Sequence, residues 1–408
     1  MNLAPPNNNE LRQAALQLLE WCRSRNWAGW DPYDALNSKL FSALPLLDSK
    51  WPRLILTQTL KRAAINIRPL LLVPSSQNPK ALGLFLQANL KLGELGLIEH
   101  ETICKELVSL IGKLRAPDKQ HWCWGYSFPW QTRGRCVPRG SANLVCTTFV
   151  AEALLDYHDS TGEETALNMA VSAAKYIVEE LYWTEGKVAA FRYPLPDSRV
   201  PVHNANFLAA ALLSRLSGHD KRFGQVALNA ARYSAAKQSA DGSWVYGESE
   251  NWSYIDNFHT GFNLCALRRI ETFLQTDEFE KTLNEGYDFY RLNFFTRDGG
   301  PKYFHNHASP FDVHSAAQAL ITLADLRELS SESLPLMQRV LKWTMEHLRD
   351  SEGFFYYQER GWGRIKIPYM RWGQAWMLLA MATVLEARAQ NRLEESATSQ
   401  PQLSGACI

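Results

Sequence analysis

The chain has 408 residues, 46% of them hydrophobic, and a formal net charge of +1 from 43 basic and 42 acidic side chains. That much apolar matter builds one large closed domain or two ordinary ones. The charge balance excludes a nucleic-acid or membrane-surface partner held by bulk electrostatics and leaves room only for local basic patches.

The opening MNLAPPNNNELRQ lacks the basic segment and apolar run of a secretory signal. No stretch approaches the ~18 uninterrupted apolar residues of a membrane helix. Seven scattered cysteines without a CxxC pair read as reduced thiols, so the expectation is a cytoplasmic protein. Residues 1–8 read as a flexible polar lead. From Leu11 to Arg25, apolar residues at 11, 15, 18, 19 and 22 have helical spacing. In WAGWDPYDALNSKLF (27–41), Gly29 and Pro32 break the helix and leave Trp30, Asp31, Tyr33, Asp34 and Asn37 in a loop, a better place for a ligand than a helix face. Trp51 to Ile67 reads as a helix stopped at Arg68-Pro69. Asn78-Pro79 caps and starts the run ALGLFLQANLKL, apolar all round and therefore buried.

An amphipathic helix, an aromatic-rich loop and a buried Ala/Leu/Phe-rich helix then recur. The amphipathic helices are expected to start near Trp51, Glu101, Glu163, Lys221, Asp277 and Ser331. The buried ones start near Asn78, Ser141, His203, Asp256, Asp312 and Tyr369, spaced 53 to 63 residues apart, a period that marks a repeat array. Each hairpin hides its apolar face only on its neighbours, and closing the array removes exposed ends. The expected fold is all-α: a single-domain (α/α)6 toroid of six helical hairpins over residues 9–388. An open solenoid or two three-hairpin bundles are the alternatives. Residues 389–408, polar and bearing Ser, Gln and Pro, read as a disordered tail.

YSAAKQSADGSW (233–244) resembles the Q-x3-G-x-W repeat of squalene-cyclase-type α/α barrels, where Gln and Trp tie an outer helix to the next inner one. LRDSEGFFYY and NFFTRDGGPKYF are weaker copies. The whole chain also resembles six-hairpin glycan-active proteins and uncharacterised proteins of bacterial polysaccharide-biosynthesis clusters, through WDPYDALNS followed by RPLL and NPKAL. The resemblance implies a fold and a setting, not an activity. The D-x-D-D acid motif of the cyclases is absent, and so is the Cys-His partner of a zinc-toroid cyclase loop that Trp122-Cys123-Trp124-Gly125 resembles.

In a toroid the loops before the inner helices gather at one mouth. They supply Tyr33, then Trp124, Tyr126, Arg133 and Arg135, then Arg192, Tyr193, His203 and Asn204. Tyr254, Asp256 and His259 follow, then His305, His307, Asp312 and His314, and finally Arg360, Arg364, Tyr369, Arg371, Trp372 and Gln374. Aromatic rings stack on sugar faces. Arg forks recognise carboxylates, so the expected partner is an acidic, uronate-type saccharide. Asp256 and His259 share a helix face and make an acid/base pair if Asp256 does more than cap. Two reactions fit. In proton abstraction at C5 of a uronate (lyase or epimerase), Tyr254 or His259 is the base and Arg371 or Arg192 neutralises the carboxylate. In hydrolysis, Asp256 and Asp312 are the acid and base, with His314 beside them. Tyr33, Trp124, Tyr126, His203, Asn204, Tyr369 and Trp372 complete the expected binding set. His305, His307, Asp312 and His314 have the composition of a zinc site but not its spacing. With no Gly-rich phosphate loop or G-x-S-x-G elbow either, no metal or cofactor is expected. A non-catalytic glycan-binding or scaffold role is the competing reading, and terpene-type cyclisation stands third. The amphipathic outer helices are compatible with a monomer but leave the oligomeric state open.

Overall fold

The computed structural model describes residues 5–132 and 135–398. Asn7 and Glu10 form a reciprocal capping box that opens α1 (Asn8–Arg23), satisfying two otherwise orphaned backbone donors. The chain then leaves the ring. A 3-10 turn at Asp34–Asn37, α2 (Lys39–Ser42), a turn at Pro45–Leu47 and α3 (Lys50–Arg62) form an excursion. It has its own small core of Ala35, Leu60 and Val73 and a buried Arg68–Asp34 ion pair at 2.7 Å.

From α4 (Pro79–Glu94) inner and outer helices alternate. They are α5 (Glu101–Lys113), α6 (Leu144–Thr161), α7 (Glu164–Tyr176), α8 (His203–Arg215), α9 (Lys221–Ala235), α10 (Asn257–Leu274), α11 (Glu280–Asn293), α12 (Val313–Asp325), α13 (Ser333–His347) and α14 (Ala375–Thr398). The even-numbered helices from α4 onward pack one on the next, and α14 returns to α4. The ring is therefore closed, an (α/α)6 toroid as the repeat period predicts. Outer helices α5, α7, α9, α11 and α13 back the first five inner ones, and α1 backs α14. The inner helices bury most of their circumference because they touch two ring neighbours and an outer helix. In α8 every residue from His203 to Ser214 is buried.

The amphipathic helix expected from Trp51 as an outer helix is α3, and it does not hold that place. It buries only Thr57 and Leu60, whereas α1 presents Leu11, Ala14, Leu18 and Cys22 to the main core and closes the ring against α14. The lead and tail also differ in extent from the compositional reading. Asn7 already caps a helix, and α14 runs on to Thr398. Residues 399–408 lie outside the described residues, as does Arg133.

Short antiparallel ribbons extend the loops at the inner-helix N-termini: β1 (Trp130–Gln131) with β2 (Cys136–Val137), β3 (Tyr182–Glu185) with β4 (Val188–Phe191), and β5 (Phe311–Asp312) with β6 (Gln358–Arg360) and β7 (Gly363–Ile365). The Gln–Gly–Trp stretch is a clamp, but between outer helices. Gln238 Nε2 donates to Gly242 O at 3.0 Å and to Thr282 O of α11 at 2.9 Å. Trp244 Nε1 donates to Ser234 O of α9 at 3.0 Å. No described helix is long and apolar enough to cross a membrane, and the six described cysteines are free thiols.

Candidate functional site

The N-termini of all six inner helices converge on a cavity of about 380 Å³. Lys80 opens α4, Val145 α6, Asn204 α8, and Phe258 and His259 α10. His314 opens α12, while Arg371 and Trp372 lie in a π-helical turn (Met370–Gln374) that leads into α14. Tyrosines 33, 126, 193, 246, 254 and 303 complete much of the wall. Beneath the cavity Phe262, which lines the wall, clusters with Phe149 and Trp376, with centroids 5.3–5.5 Å apart and Phe149 edge-on to the other two rings. This cluster separates the cavity from a second one of about 480 Å³ at the other end of the ring. Acid–base pairs such as Arg215 with Glu152 and Asp156 line that second cavity.

Asp256 caps α10 and orients a histidine at once. Its Oδ1 accepts the His259 backbone N–H at 2.9 Å and its Oδ2 lies 2.7 Å from His259 Nδ1. With Nδ1 held as the N–H, the Nε2 lone pair is left to the cavity. The ring rests between Phe258 (4.2 Å) and Tyr246 (4.6 Å).

His314 is caged by Phe258, Trp372 and Trp376 at 4.6–4.7 Å. Neither ring nitrogen has a hydrogen-bond partner among the described residues. Burial holds its pKa well below the usual range, and Lys80, Arg371 and His259 add to the effect, so the imidazole is neutral. Lys80 is 3% exposed. Its Nζ stands over the ring cluster beneath the cavity, 3.9 Å from the Phe149 centroid and 5.2 Å from that of Trp376. It has no hydrogen-bond or ion-pair partner among the described residues. Burial, then Arg371, pushes its pKa well down. Asn204 Oδ1 is likewise buried and unpartnered. Buried polar groups are normally satisfied, so Asn204, Lys80 and His314 are the wall's candidates for contact with a ligand's polar atoms.

Other expected residues have different duties. Asp312 is fully buried and absent from the cavity wall. It caps α12 through His314 N at 2.8 Å and accepts from Gln358 Nε2 at 2.5 Å and Trp372 Nε1 at 2.9 Å. Burial raises it to about 6, and its oxygens are spent on positioning Trp372 and the α12 N-terminus. Arg371 faces the cavity, but Asp31 already grips it in a fork at 2.6 and 2.9 Å, and its guanidinium lies 5.0 Å from the Tyr126 ring. Tyr254 stacks on Tyr246 at 4.9 Å. Burial and the Asp256 charge raise its phenol, which favours the protonated form. Tyr33 lines the wall and accepts from Lys61 Nζ at 2.6 Å.

His203 turns outward: its Nδ1 lies 3.2 Å from Ser234 Oγ of α9, and burial lowers it to about 4. Trp124 is buried with Nε1 donating to Ile111 O at 2.9 Å. Tyr369 lies beneath the Arg68 guanidinium at 4.8 Å. Like Arg192, these three residues do not line the cavity. Arg135 pairs with Asp197, Arg360 with Gln358, and Arg364 with Glu359. His305 and His307 are not in the wall, and no group of three His, Cys, Asp or Glu among the described residues is placed to hold a metal. Lys61, Lys80, Phe258 and Tyr303 are cavity residues that sequence reasoning missed. For Lys80 the signal was a lone charge in the first turn of an otherwise apolar helix.

No family model matches the chain, and no curated protein matches it in sequence. Solved structures do match in fold. A cellobiose 2-epimerase from Spirochaeta thermophila is 15% identical, with a TM-score of 0.58 over 78% of this chain and 87% of that one. A Listeria innocua protein is 11% identical, with a TM-score of 0.62 over 94% and 98%. An unsaturated glucuronyl hydrolase specific for heparin is 12% identical, with a TM-score of 0.53 over 78% and 89%. These likenesses define the class as closed (α/α)6 toroids. The chemistry has to be read from the cavity.

Proposed function

We propose that the chain is a saccharide-converting enzyme that removes and returns a proton at a carbon beside a carbonyl or carboxyl group. The observation that carries this reading is the pair of histidines on one wall. His259 has its Nδ1 held by Asp256, and His314 is neutral with both nitrogens free of internal bonds. His259 takes the proton at Nε2, and Asp256 stabilises the imidazolium that forms. Neutral His314 hydrogen-bonds the substrate oxygen on which charge develops. The tyrosine-rich wall stacks the sugar ring.

A two-carboxylate hydrolysis is disfavoured. Asp256 is the one carboxylate in the described wall and is committed to His259, whereas Asp312 is spent elsewhere, so the second group that glycosidases need is missing. The fold neighbours include both an epimerase and a hydrolase, so the fold alone favours neither. An acidic substituent meets Lys80 rather than Arg371 or Arg192, because of these three cations Lys80 is the one in the wall without a partner, and a bound carboxylate favours the protonated amine that burial opposes. The N-terminal resemblance suggests the building or remodelling of a bacterial polysaccharide as the setting.

The test is incubation in deuterium oxide with neutral reducing oligosaccharides and with uronate-bearing ones, followed by NMR. Deuterium is expected at the carbon beside the carbonyl or carboxyl group, and the exchange disappears in His259→Ala. New reducing ends without exchange establish a hydrolase instead. Saturable binding with neither exchange nor product establishes a glycan-binding module.

A further inference from the structure

The excursion between α1 and α4 carries a surface that the ring does not use. Fifteen large hydrophobic side chains are exposed among the described residues, and nine of them fall between Leu40 and Leu72. Leu46 is 97% exposed, Ile65 77%, Leu70 76%, Trp51 69% and Ile55 64%. On α3, Trp51, Ile55, Thr59 and Arg62 are all exposed and their spacing puts them on one face. Thr57 and Leu60 are buried on the other. Lys39 N donates to Leu72 O at 3.3 Å and Ser38 Oγ to Leu71 O at 2.6 Å, which draws the two ends of the segment together. Isolated exposed hydrophobics are ordinary, but a cluster of them marks an interaction surface.

The free charges on this segment have one sign. Its single acid between Lys39 and Leu72 is Asp48, ion-paired to Arg53. Arg68 is buried against Asp34, and Lys61 is bonded to Tyr33. Lys39, Lys50 and Arg62 are exposed and have no ion-pair partner among the described residues. The chain as a whole carries a net charge of only +1, so the excess is local.

We propose that residues 39–72 dock the protein on an anionic lipid surface. Leu46, Trp51 and Ile55 seat among the headgroups, and Lys39, Lys50 and Arg62 face the lipid phosphates. Apolar area combined with basic side chains is what holds peripheral proteins at such a surface, and Trp favours the headgroup layer. A second copy of this chain is a poorer occupant, because a two-fold contact would set the same three cations against each other. The Lys61 end of α3 reaches the cavity wall, and Arg53 touches Gln131 of β1 at 3.3 Å. Docking here therefore sets the mouth beside the headgroups. The inference is independent of the reaction assigned to the cavity.

Sedimentation of the full chain with vesicles tests it. Binding is expected to phosphatidylcholine vesicles containing phosphatidylglycerol, to weaken in high salt, and to be absent with phosphatidylcholine alone. The pair Leu46→Glu and Trp51→Glu, and separately the pair Lys39→Glu and Lys50→Glu, each lower binding about tenfold or more with an unchanged circular dichroism spectrum. The proposal is overturned if the unaltered chain ignores anionic vesicles. It is equally overturned if the chain forms a concentration-dependent dimer that Leu46→Glu with Trp51→Glu abolishes.

Discussion

One position along a helix decides what a side chain does here. His203 and Asn204 are neighbours at the start of α8, yet Asn204 faces the cavity and His203 faces α9. Each step turns a helix by roughly 100°, and sequence alone does not say where the turn begins. The outward His203 gives a pH prediction. Burial holds it at about 4 instead of 6.5, so its neutral form stabilises the fold fully above pH 6.5, and that contribution is lost as pH falls towards 4. His203→Asn should lose less stability across this window, by up to about 3 kcal/mol in urea titrations. Asp34 and Asp312, both raised to about 6, act in the opposite sense in both proteins and cancel in the comparison. Inside the cavity, Asp256→Asn keeps a competent helix cap but no longer accepts a charge on His259. Its kcat should fall by about 10²–10⁴-fold with little change in melting temperature. Lys80→Met removes an uncompensated buried amine, so it should gain about 1 kcal/mol of stability while uronate-bearing substrates lose kcat/KM.

At the scale of elements, the Gln238–Gly242–Trp244 clamp is the part most open to a structural test. Gly242 has φ +87°, and a Cβ there would lie 2.3 Å from Glu285 O of α11. Gly242→Ala meets both a disfavoured backbone region and a backbone clash, and should cost about 1–3 kcal/mol in chemical denaturation. All six inner helices were legible in the sequence because each is a largely apolar, Ala/Leu/Phe-rich run behind a cap or break, such as Asn78-Pro79 or Asp256. The outer set was legible less completely. Both α1 and the segment from Trp51 have helical apolar spacing, and periodicity cannot say which apolar stripe meets the ring and which stays in water. The candidate site was legible as a set of loops. Which residues enter it was not, because that depends on partners far away in the chain: Asp31 neutralises Arg371, and Gln358 and Trp372 occupy Asp312.

The molecule as a whole is a ring whose seam lies between its first and last repeats. Asp31 holds Arg371 across it, Met370 N donates to Trp30 O at 3.0 Å, and Lys91 pairs with Glu386 at 2.5 Å. Asp31→Asn leaves a guanidinium buried without its charge partner and should destabilise the fold by about 3–5 kcal/mol, measured by thermal and urea unfolding. Adding Arg371→Met should restore part of that loss. The same closure fixes how a long ligand can be handled. Phe149, Phe262 and Trp376 stop the ring halfway, so it is a blind socket and not a tunnel. A polymer can insert a terminus but cannot thread through, and the protein would have to let go after each encounter. On a polysaccharide its output should then follow the number of chain ends in solution, doubling when the same mass is cut in half and indifferent to how long each strand is.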